Sequence, residues 1–361
     1  MIGKRRHVQE RSSTVGTRVS ASEVEGGEAH SHTVTRVPHP TPWDAINRVP
    51  TPFQQLYRRV TMMTTGENGR PRLGFIGLGH MGIRMVVRLM DAGYHLTIYD
   101  RTREKAQEFA QHGANVASRP RDLADSCDVI LSCVTDDAAL ESVIFGSDGV
   151  LAGVRAGNVL IDLSTVSPKT SRSFYEAAKQ KGVAMIDAAV SGSVPQVEQG
   201  KLVIFVGGEE ATFQQCKPIL DVLGQTCFYM GSSGMGTAMK LVVNTLLGLG
   251  LQALAEAIAL GEKSGIEKEL LLDVLNQTAV ISPSHKAKLE NARKDEYPIN
   301  FALSLMYKDF GLILDQAAEL TVPMPATAAA QQMYAAARIL EKEEDFAVVI
   351  RFMERLAGLS S

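Results

Sequence analysis

The sequence predicts an α/β domain with a doubly wound sheet, joined by one long central helix to an all-α C-terminal domain and preceded by a disordered extension. Three observations carry this. A short apolar strand, Arg72-Leu73-Gly74-Phe75-Ile76, runs straight into Gly77-Leu78-Gly79-His80-Met81-Gly82 and a helical pattern over 83–91, after which strand and helix patterns alternate to about residue 231. A proline-free apolar stretch from Gly234 to Lys263 follows. Beyond it every segment reads as helix, divided by turn signals at Gly265, Pro283, Pro298 and Pro323. The expected divisions are residues 1–70, 71–231, 232–264 and 265–361.

The chain has 361 residues, 45% of them apolar and 21% charged, with a formal net charge of −3. That is the balance of an ordinary soluble protein of two domains, and nothing in it points to nucleic acid or a membrane surface. Cys127, Cys133, Cys216 and Cys227 match neither a zinc site nor a redox pair in their spacing. Free thiols in a reducing, cytoplasmic compartment are expected. Residues 1–70 are rich in Arg, Ser, Thr, Val and His, hold prolines at 38, 40, 42, 50 and 52, and sustain no period, so they read as disordered. An organelle targeting peptide, a basic arm for an acidic partner and an upstream reading frame compete for this stretch. Glu10, Glu23, Glu25 and Glu28 argue against targeting, and Met62 and Met63 make a shorter protein plausible.

The glycine loop has a specific physical logic. Gly77 makes the tight turn, Gly79 lets the backbone approach a pyrophosphate, and Gly82 lets the helix pack on the strand, while the helix N-terminus faces the phosphates. The strand Leu96-Thr97-Ile98-Tyr99 ends at Asp100, close to the spacing that a dinucleotide-binding Rossmann unit requires. The cofactor set is therefore Gly77, Leu78, Gly79, His80, Met81 and Gly82 with Asp100, Arg101 and Thr102. Asp100 suits the ribose 2′-hydroxyl of NAD, whereas Arg101, Thr102 and Arg103 suit the 2′-phosphate of NADP; both stay open, with a lean to NADP. His80 is expected in a solvent-facing loop, and no metal is expected because no second histidine is placed to share one.

Residues 129–134 and 159–163 read as buried parallel strands, with helices near 137–144 and 168–181. Val134 and Thr135, at the end of the first of these strands, join the cofactor-side set. Further strands are expected at 183–188, 202–206 and 227–229. Ligands belong at the loops that follow the strands. Two such loops hold Ser164-Thr165 and Ala189-Val190-Ser191-Gly192-Ser193. A serine hydroxyl beside a glycine with free N–H groups can hold a carboxylate, although an S-G-S tripeptide is also an ordinary turn.

The long helix is apolar on nearly every face, so protein is expected on all sides of it; Asn244, Gln252 and Glu256 argue against a bilayer span. Lys240 and Asn244 are four residues apart and share one face. An ammonium there is costly to desolvate unless something uses it. The competing reading is a lysine that lays its stem on apolar surface and reaches water. Helices are then expected at 267–277, 284–295, 302–320, 325–340 and 346–357.

Together these segments resemble the β-hydroxyacid dehydrogenase family over roughly residues 72–357, a family that includes 3-hydroxyisobutyrate dehydrogenase, tartronate semialdehyde reductase and the glyoxylate/succinic semialdehyde reductases. The residues that carry the resemblance are GFIGLGHMG at 74–82, DLSTVSP at 162–168, DAAVSGS at 187–193, GTAMKLVVN at 236–244 and FALSLMYKD at 301–309. Ala189 stands where the family usually has proline, Ser193 where glycine is common, and Asp100 where the NADP branches usually have asparagine. Ser193 is nearer the glyoxylate and succinic semialdehyde branch. The resemblance implies reversible hydride transfer between NAD(P)H and a small carboxylate-bearing aldehyde. It gives Lys240 the role of acid and base, and Asn244 the role of orienting Lys240 or the substrate oxygen. It implies that Ser191 and Gly192 hold the carboxylate, that Thr165 lies between substrate and nicotinamide, and that Phe301 and Lys308 approach the cofactor. A homodimer or homotetramer in which the helical domain closes the cleft is implied too. Two other readings are an imine reductase on the same scaffold and a non-catalytic binding protein whose arm reaches chromatin; those relatives usually lack the lysine that Lys240 supplies here.

Overall fold

The computed structural model describes residues 69–341 and 343–359. Nearly all of the predicted extension, residues 1–68 with its targeting, basic-arm and reading-frame alternatives, lies outside the described residues. The first part of the chain alternates as expected. The order is β1 (Leu73–Ile76), α1 (His80–Asp91), β2 (Leu96–Tyr99), α2 (Arg103–Ala110), β3 (Asn115–Val116), α3 (Pro120–Ser126), β4 (Val129–Ser132), α4 (Asp137–Phe145), α5 (Val150–Gly153) and β5 (Val159–Asp162). It continues through α6 (Pro168–Gln180), β6 (Ala184–Ser191), α7 (Val194–Glu198), β7 (Leu202–Gly208), α8 (Glu210–Leu223) and β8 (Gly224–Gly231).

The eight strands form one sheet in the order β3-β2-β1-β4-β5-β6-β7-β8. Pairing is parallel from β3 through β6, antiparallel between β6 and β7, and parallel again between β7 and β8. Successive residues of a strand point to opposite faces, so the strands feed two apolar layers. Leu73, Phe75, Val129, Leu131, Val159 and Ile161 enter one layer, and Ile76, Ile130 and Leu160 enter the other. The order reverses between β1 and β4, which opens a crevice at their carboxyl ends.

Helix α9 (Met235–Lys263) carries the chain out of the sheet domain; α10 (Lys268–Gln277), α11 (Pro283–Lys294), α12 (Leu303–Glu319), α13 (Pro325–Leu340), a 3₁₀ turn (Phe346–Val348) and α14 (Val349–Leu356) complete it. Glycines on α9 mark where neighbours come close. A Cβ at Gly236 would meet the Phe205 carbonyl at 2.3 Å, one at Gly248 the Phe310 ring at 2.4 Å, and one at Gly250 the His285 ring at 2.2 Å. Packing on β6 and β7 at one end and on α12 and α14 further along, α9 holds sheet and helical parts together as one compact unit.

Three expectations need correction. Helix α9 is long and apolar enough to cross a membrane by length and composition, but protein does not surround it: Met235, Val242, Leu246 and Leu260 are exposed and fall on one face. Apolar character shows that a face wants cover, not what covers it. Residues Glu210–Leu223, for which the sequence predicts no element, form a helix despite Pro218 in its interior. His80 begins α1 instead of lying in a loop, though it is exposed as expected. All four cysteines are free thiols.

Candidate active site

The crevice begins with the glycine loop. Gly77 has φ +100°, and a Cβ there would press to 2.2 Å from the Cys133 carbonyl just after β4. A Cβ at Gly82 would meet the Gly77 carbonyl at 2.0 Å, so only glycine lets α1 pack this close to the turn. Gly79 differs: nothing lies within 4 Å of where its Cβ would be. It is the N-cap of α1 and has no side chain to cap the first N–H groups of the helix. A backbone cradle with room beside it, ending in a positive helix terminus, fits a dinucleotide pyrophosphate. Asp100, expected to face a ribose, uses its carboxylate on the backbone: Oδ2 accepts the Leu78 N–H at 2.7 Å and Oδ1 the Thr102 N–H at 2.8 Å. Arg101 and Thr102 are exposed beside it. Met81 is half-buried against the sheet core.

Next to the loop, the ends of β4 and β5 are tied together. The Asp162 carboxylate accepts from the Ser132 hydroxyl at 2.8 Å and the Ser164 hydroxyl at 2.7 Å, and the Ser164 oxygen accepts the Val134 N–H at 2.9 Å. Thr135 follows at the surface, its hydroxyl 3.2 Å from Asp136. Thr165 is half-buried, and its carbonyl accepts from Lys308 Nζ at 2.6 Å. Lys308, on α12, thus reaches across the crevice to the cofactor-side loop.

Lys240 and Asn244 lie on α9, whose N-terminus is fastened by a second buried acid. Asp187, in β6, accepts the Gly234 N–H at 2.7 Å and the Thr237 N–H at 2.9 Å, and Lys240 follows about a turn later. Asn244 donates through Nδ2 to Asp309 at 2.5 Å, and the same carboxylate sits 2.9 Å from Lys308 Nζ. Asn244 was expected to orient Lys240 or the substrate oxygen directly; its amide nitrogen instead holds Asp309, while its buried Oδ1 has no hydrogen-bond partner among the described residues. Asp309 is the group that sequence reasoning missed. Its signal was its place beside Lys308 in FALSLMYKD, but nothing in the sequence pairs it with a residue 65 positions away.

Lys240 is only 9% exposed and makes no hydrogen bond among the described residues. Burial pushes its pKa down to about 8, helped by the Lys308 charge and opposed by Asp309. The alternative of a lysine that snorkels to water is therefore not what the structure shows. Ser191 ends β6 and is half-buried; Gly192 follows with φ +126°, where a Cβ would come within 2.8 Å of Leu202. Ser193, which replaces the family's common glycine, starts α7, its N–H bound to Gln196 Oε1 at 2.9 Å. Phe301 packs edge-on against Phe346, with centroids 5.5 Å apart, and its N–H is held at 3.0 Å by the buried Asp345. The structure thus joins Asn244 and Lys308 through Asp309 and Lys308 to Thr165, with Lys240 one turn from Asn244 and close enough to feel the Asp309 and Lys308 charges; it shows no bond from Ser191, Gly192 or Phe301 to that group. Among the described residues no cluster of His, Cys, Asp and Glu is placed to hold a metal.

Comparison with known proteins agrees with this geometry. The family model for the NAD binding domain of 6-phosphogluconate dehydrogenase matches residues 72–231, and that for the NAD-binding domain of NADP-dependent 3-hydroxyisobutyrate dehydrogenase matches residues 234–353. Glyoxylate/succinic semialdehyde reductase 1 of Arabidopsis thaliana is 38% identical over 279 residues, covering 77% of this chain and 96% of that protein. The 2-(hydroxymethyl)glutarate dehydrogenase of Eubacterium barkeri is 34% identical over 291 residues, covering 80% and 97%. A crystal structure of 3-hydroxyisobutyrate dehydrogenase from Salmonella typhimurium superposes with a TM-score of 0.71 at 28% identity, covering 78% of this chain and 99% of that one.

Proposed function

The chain belongs to the β-hydroxyacid dehydrogenase family and is an NAD(P)-dependent oxidoreductase, and from that premise we propose that it interconverts small carboxylate-bearing aldehydes and their hydroxyacids with Lys240 as acid and base. The bound nicotinamide supplies or accepts the hydride. Lys240 gives a proton to the substrate oxygen in reduction and takes it back in oxidation. A pKa of about 8 lets one amine do both near neutral pH. Asn244 offers its unpaired Oδ1 to the same region, while Asp309 fixes Asn244 and Lys308 in place. The Ser191 hydroxyl and the Gly192 backbone hold the carboxylate, and Thr165 borders the nicotinamide. Substrates are of the glyoxylate, succinic semialdehyde, tartronate semialdehyde or 3-hydroxyisobutyrate type. The observation that carries this reading is Lys240, only 9% exposed and without a hydrogen-bond partner among the described residues.

NADP is the favoured form of the cofactor. Asp100 spends its carboxylate on two backbone N–H groups, while Arg101 and Arg103 are exposed and have no partner among the described residues, which leaves both guanidinium groups for a 2′-phosphate. The exposed face of α9, with Met235, Val242, Leu246, Ala253 and Leu260 in one line, supports a homodimer or homotetramer in which a second copy covers it. Light scattering at micromolar concentration should give the mass of two or four chains; a monomer overturns that part.

The test of the function is initial rates of the purified full chain with glyoxylate, succinic semialdehyde, tartronate semialdehyde and methylmalonate semialdehyde, each with NADPH and NADH. Lys240→Ala should bind cofactor as the parent does and lose turnover by at least about a hundredfold, the usual scale for acid–base catalysis. A loss of only a few-fold removes Lys240 from the mechanism.

A further inference from the structure

The steps above make no use of Asp162. Its side chain is fully buried at the end of β5, and its Oδ1 takes three donors: the Ser132 hydroxyl at 2.8 Å, the Ser164 hydroxyl at 2.7 Å and the Ser164 N–H at 3.2 Å. Its Oδ2 has no hydrogen-bond partner among the described residues. The Ser164 hydroxyl, having committed its proton to Asp162, turns a lone pair to the Val134 N–H at 2.9 Å. One carboxylate oxygen therefore ties the ends of β4 and β5 together on one side of the crevice.

The direction of these bonds matters. An acceptor at the Oδ1 position orients both serine hydroxyls; without it the Ser164 proton is free to turn, and the Val134 N–H loses a directed partner. Two loops leave these strand ends. One carries Val134 and Thr135, the other carries Thr165, whose carbonyl is the anchor for Lys308. A buried carboxylate is a poor device for stability alone, since well-packed apolar side chains at the same positions commonly do as well or better. The cost is visible here: burial pushes the Asp162 carboxyl up to about 6, against the pull of the serine bonds.

We propose that Asp162 is a positioning residue for the cofactor, acting through Ser164 to hold the Val134–Thr135 and Thr165 loops at the separation the nicotinamide half requires. Its removal weakens cofactor binding and slows hydride transfer while leaving Lys240 and Asn244 in place on α9. The effect on turnover rests on the function proposed above; the effect on cofactor affinity does not.

The experiment titrates the full chain, without substrate, with whichever of NADPH and NADH the parent binds more tightly, read by the fluorescence of the reduced nicotinamide. The variants are Asp162→Ala, Asp162→Asn and Ser164→Ala, each checked by thermal melting. Turnover with cofactor deuterated at the transferred position follows. Asp162→Ala and Ser164→Ala should each weaken cofactor binding about tenfold, the scale of one charge-assisted hydrogen bond, and enlarge the isotope effect as hydride transfer becomes limiting. Asp162→Asn should recover most of the lost affinity, because an amide oxygen can take the place of Oδ1. Should Asp162→Ala fail to fold, Ser164→Ala carries the test, since it leaves the acid in place. A folded Ser164→Ala that binds cofactor as the parent does overturns the proposal, and so does a folded Asp162→Asn that binds no better than Asp162→Ala. If the parent binds cofactor but turns over none of the four acids, the proposed function fails while the affinities still decide the role of Asp162.

Discussion

The pH dependence of reduction follows from the surroundings of Lys240. Burial lowers its pKa from 10.5 to about 8, a difference of about 3 kcal/mol between protonation states. In reduction the protonated amine is the active form. Its fraction is about 0.9 at pH 7 and about 0.09 at pH 9, so kcat/KM for the aldehyde should be nearly level below about pH 7 and fall about tenfold by pH 9. Oxidation of the hydroxyacid needs the free amine and should rise over the same interval. A lysine at its ordinary value would lose only about 3% of its proton by pH 9, so the two cases are far apart. The neighbouring charges give the sign of two further shifts. Lys308 lowers the Lys240 pKa, so Lys308→Met should move the break to higher pH; Asp309 raises it, so Asp309→Asn should move the break to lower pH. Both variants will lose rate as well, because these side chains also hold the cleft, but the position of the break reads the charge alone. The assay is initial rate by nicotinamide absorbance from about pH 6 to pH 10 in buffers of constant ionic strength. A reduction rate level to pH 10, or a Lys308→Met break displaced toward acid, would refute the reasoning.

Two other perturbations separate binding from folding. Gly79→Ala adds a methyl group where nothing lies within 4 Å, so the variant should melt like the parent yet lose cofactor affinity by about tenfold or more; Gly82→Ala puts a methyl group 2.0 Å from the Gly77 carbonyl and should lower the melting temperature as well. Titration and melting of both variants check this, and unchanged affinity in Gly79→Ala would show that no pyrophosphate lies there. At the far end of α9, burial and the neighbouring Glu354 push Glu262 up from 4.5 to about 7, while Glu354 takes Lys268 at 2.7 Å. A carboxyl with a raised folded-state pKa gives its full contribution to stability below about pH 4.5 and loses it as pH rises through about 7. Glu262→Gln should therefore melt higher than the parent at pH 8, by roughly 2–4 °C if about 1 kcal/mol is recovered, with the gain shrinking toward pH 5. An equal shift at both pH values would count against a titrating pair.

The cofactor loop was legible because its chemistry is contiguous: Gly77, Gly79 and Gly82 answer to a turn, a phosphate and a packed helix within six residues. Helix α9 was legible for the same kind of reason, since twenty-nine residues without proline announce a helix, and a spacing of four puts Lys240 and Asn244 on one face whatever surrounds them. Short polar helices such as Arg103–Ala110 and Pro120–Ser126 bury only two or three residues each, too few to leave a period in the sequence. The antiparallel entry of β7 was hidden because a buried strand looks alike in either direction.

What the sequence determined by itself was therefore a nucleotide-binding sheet, a long helix and the place of Lys240 on it, one turn before Asn244. What only the tertiary structure decided is that this lysine is buried, and which charges lie near it. Asp309 meets Asn244 across 65 residues, Lys308 meets Thr165 across 143, and Asp162 draws together Ser132 at the end of β4 and Ser164 in the loop after β5. Such pairings are properties of packing, since a charge acquires its neighbours and loses its water only when distant segments close around it. The pKa of Lys240 is set by that loss of water, which no local run of residues can specify.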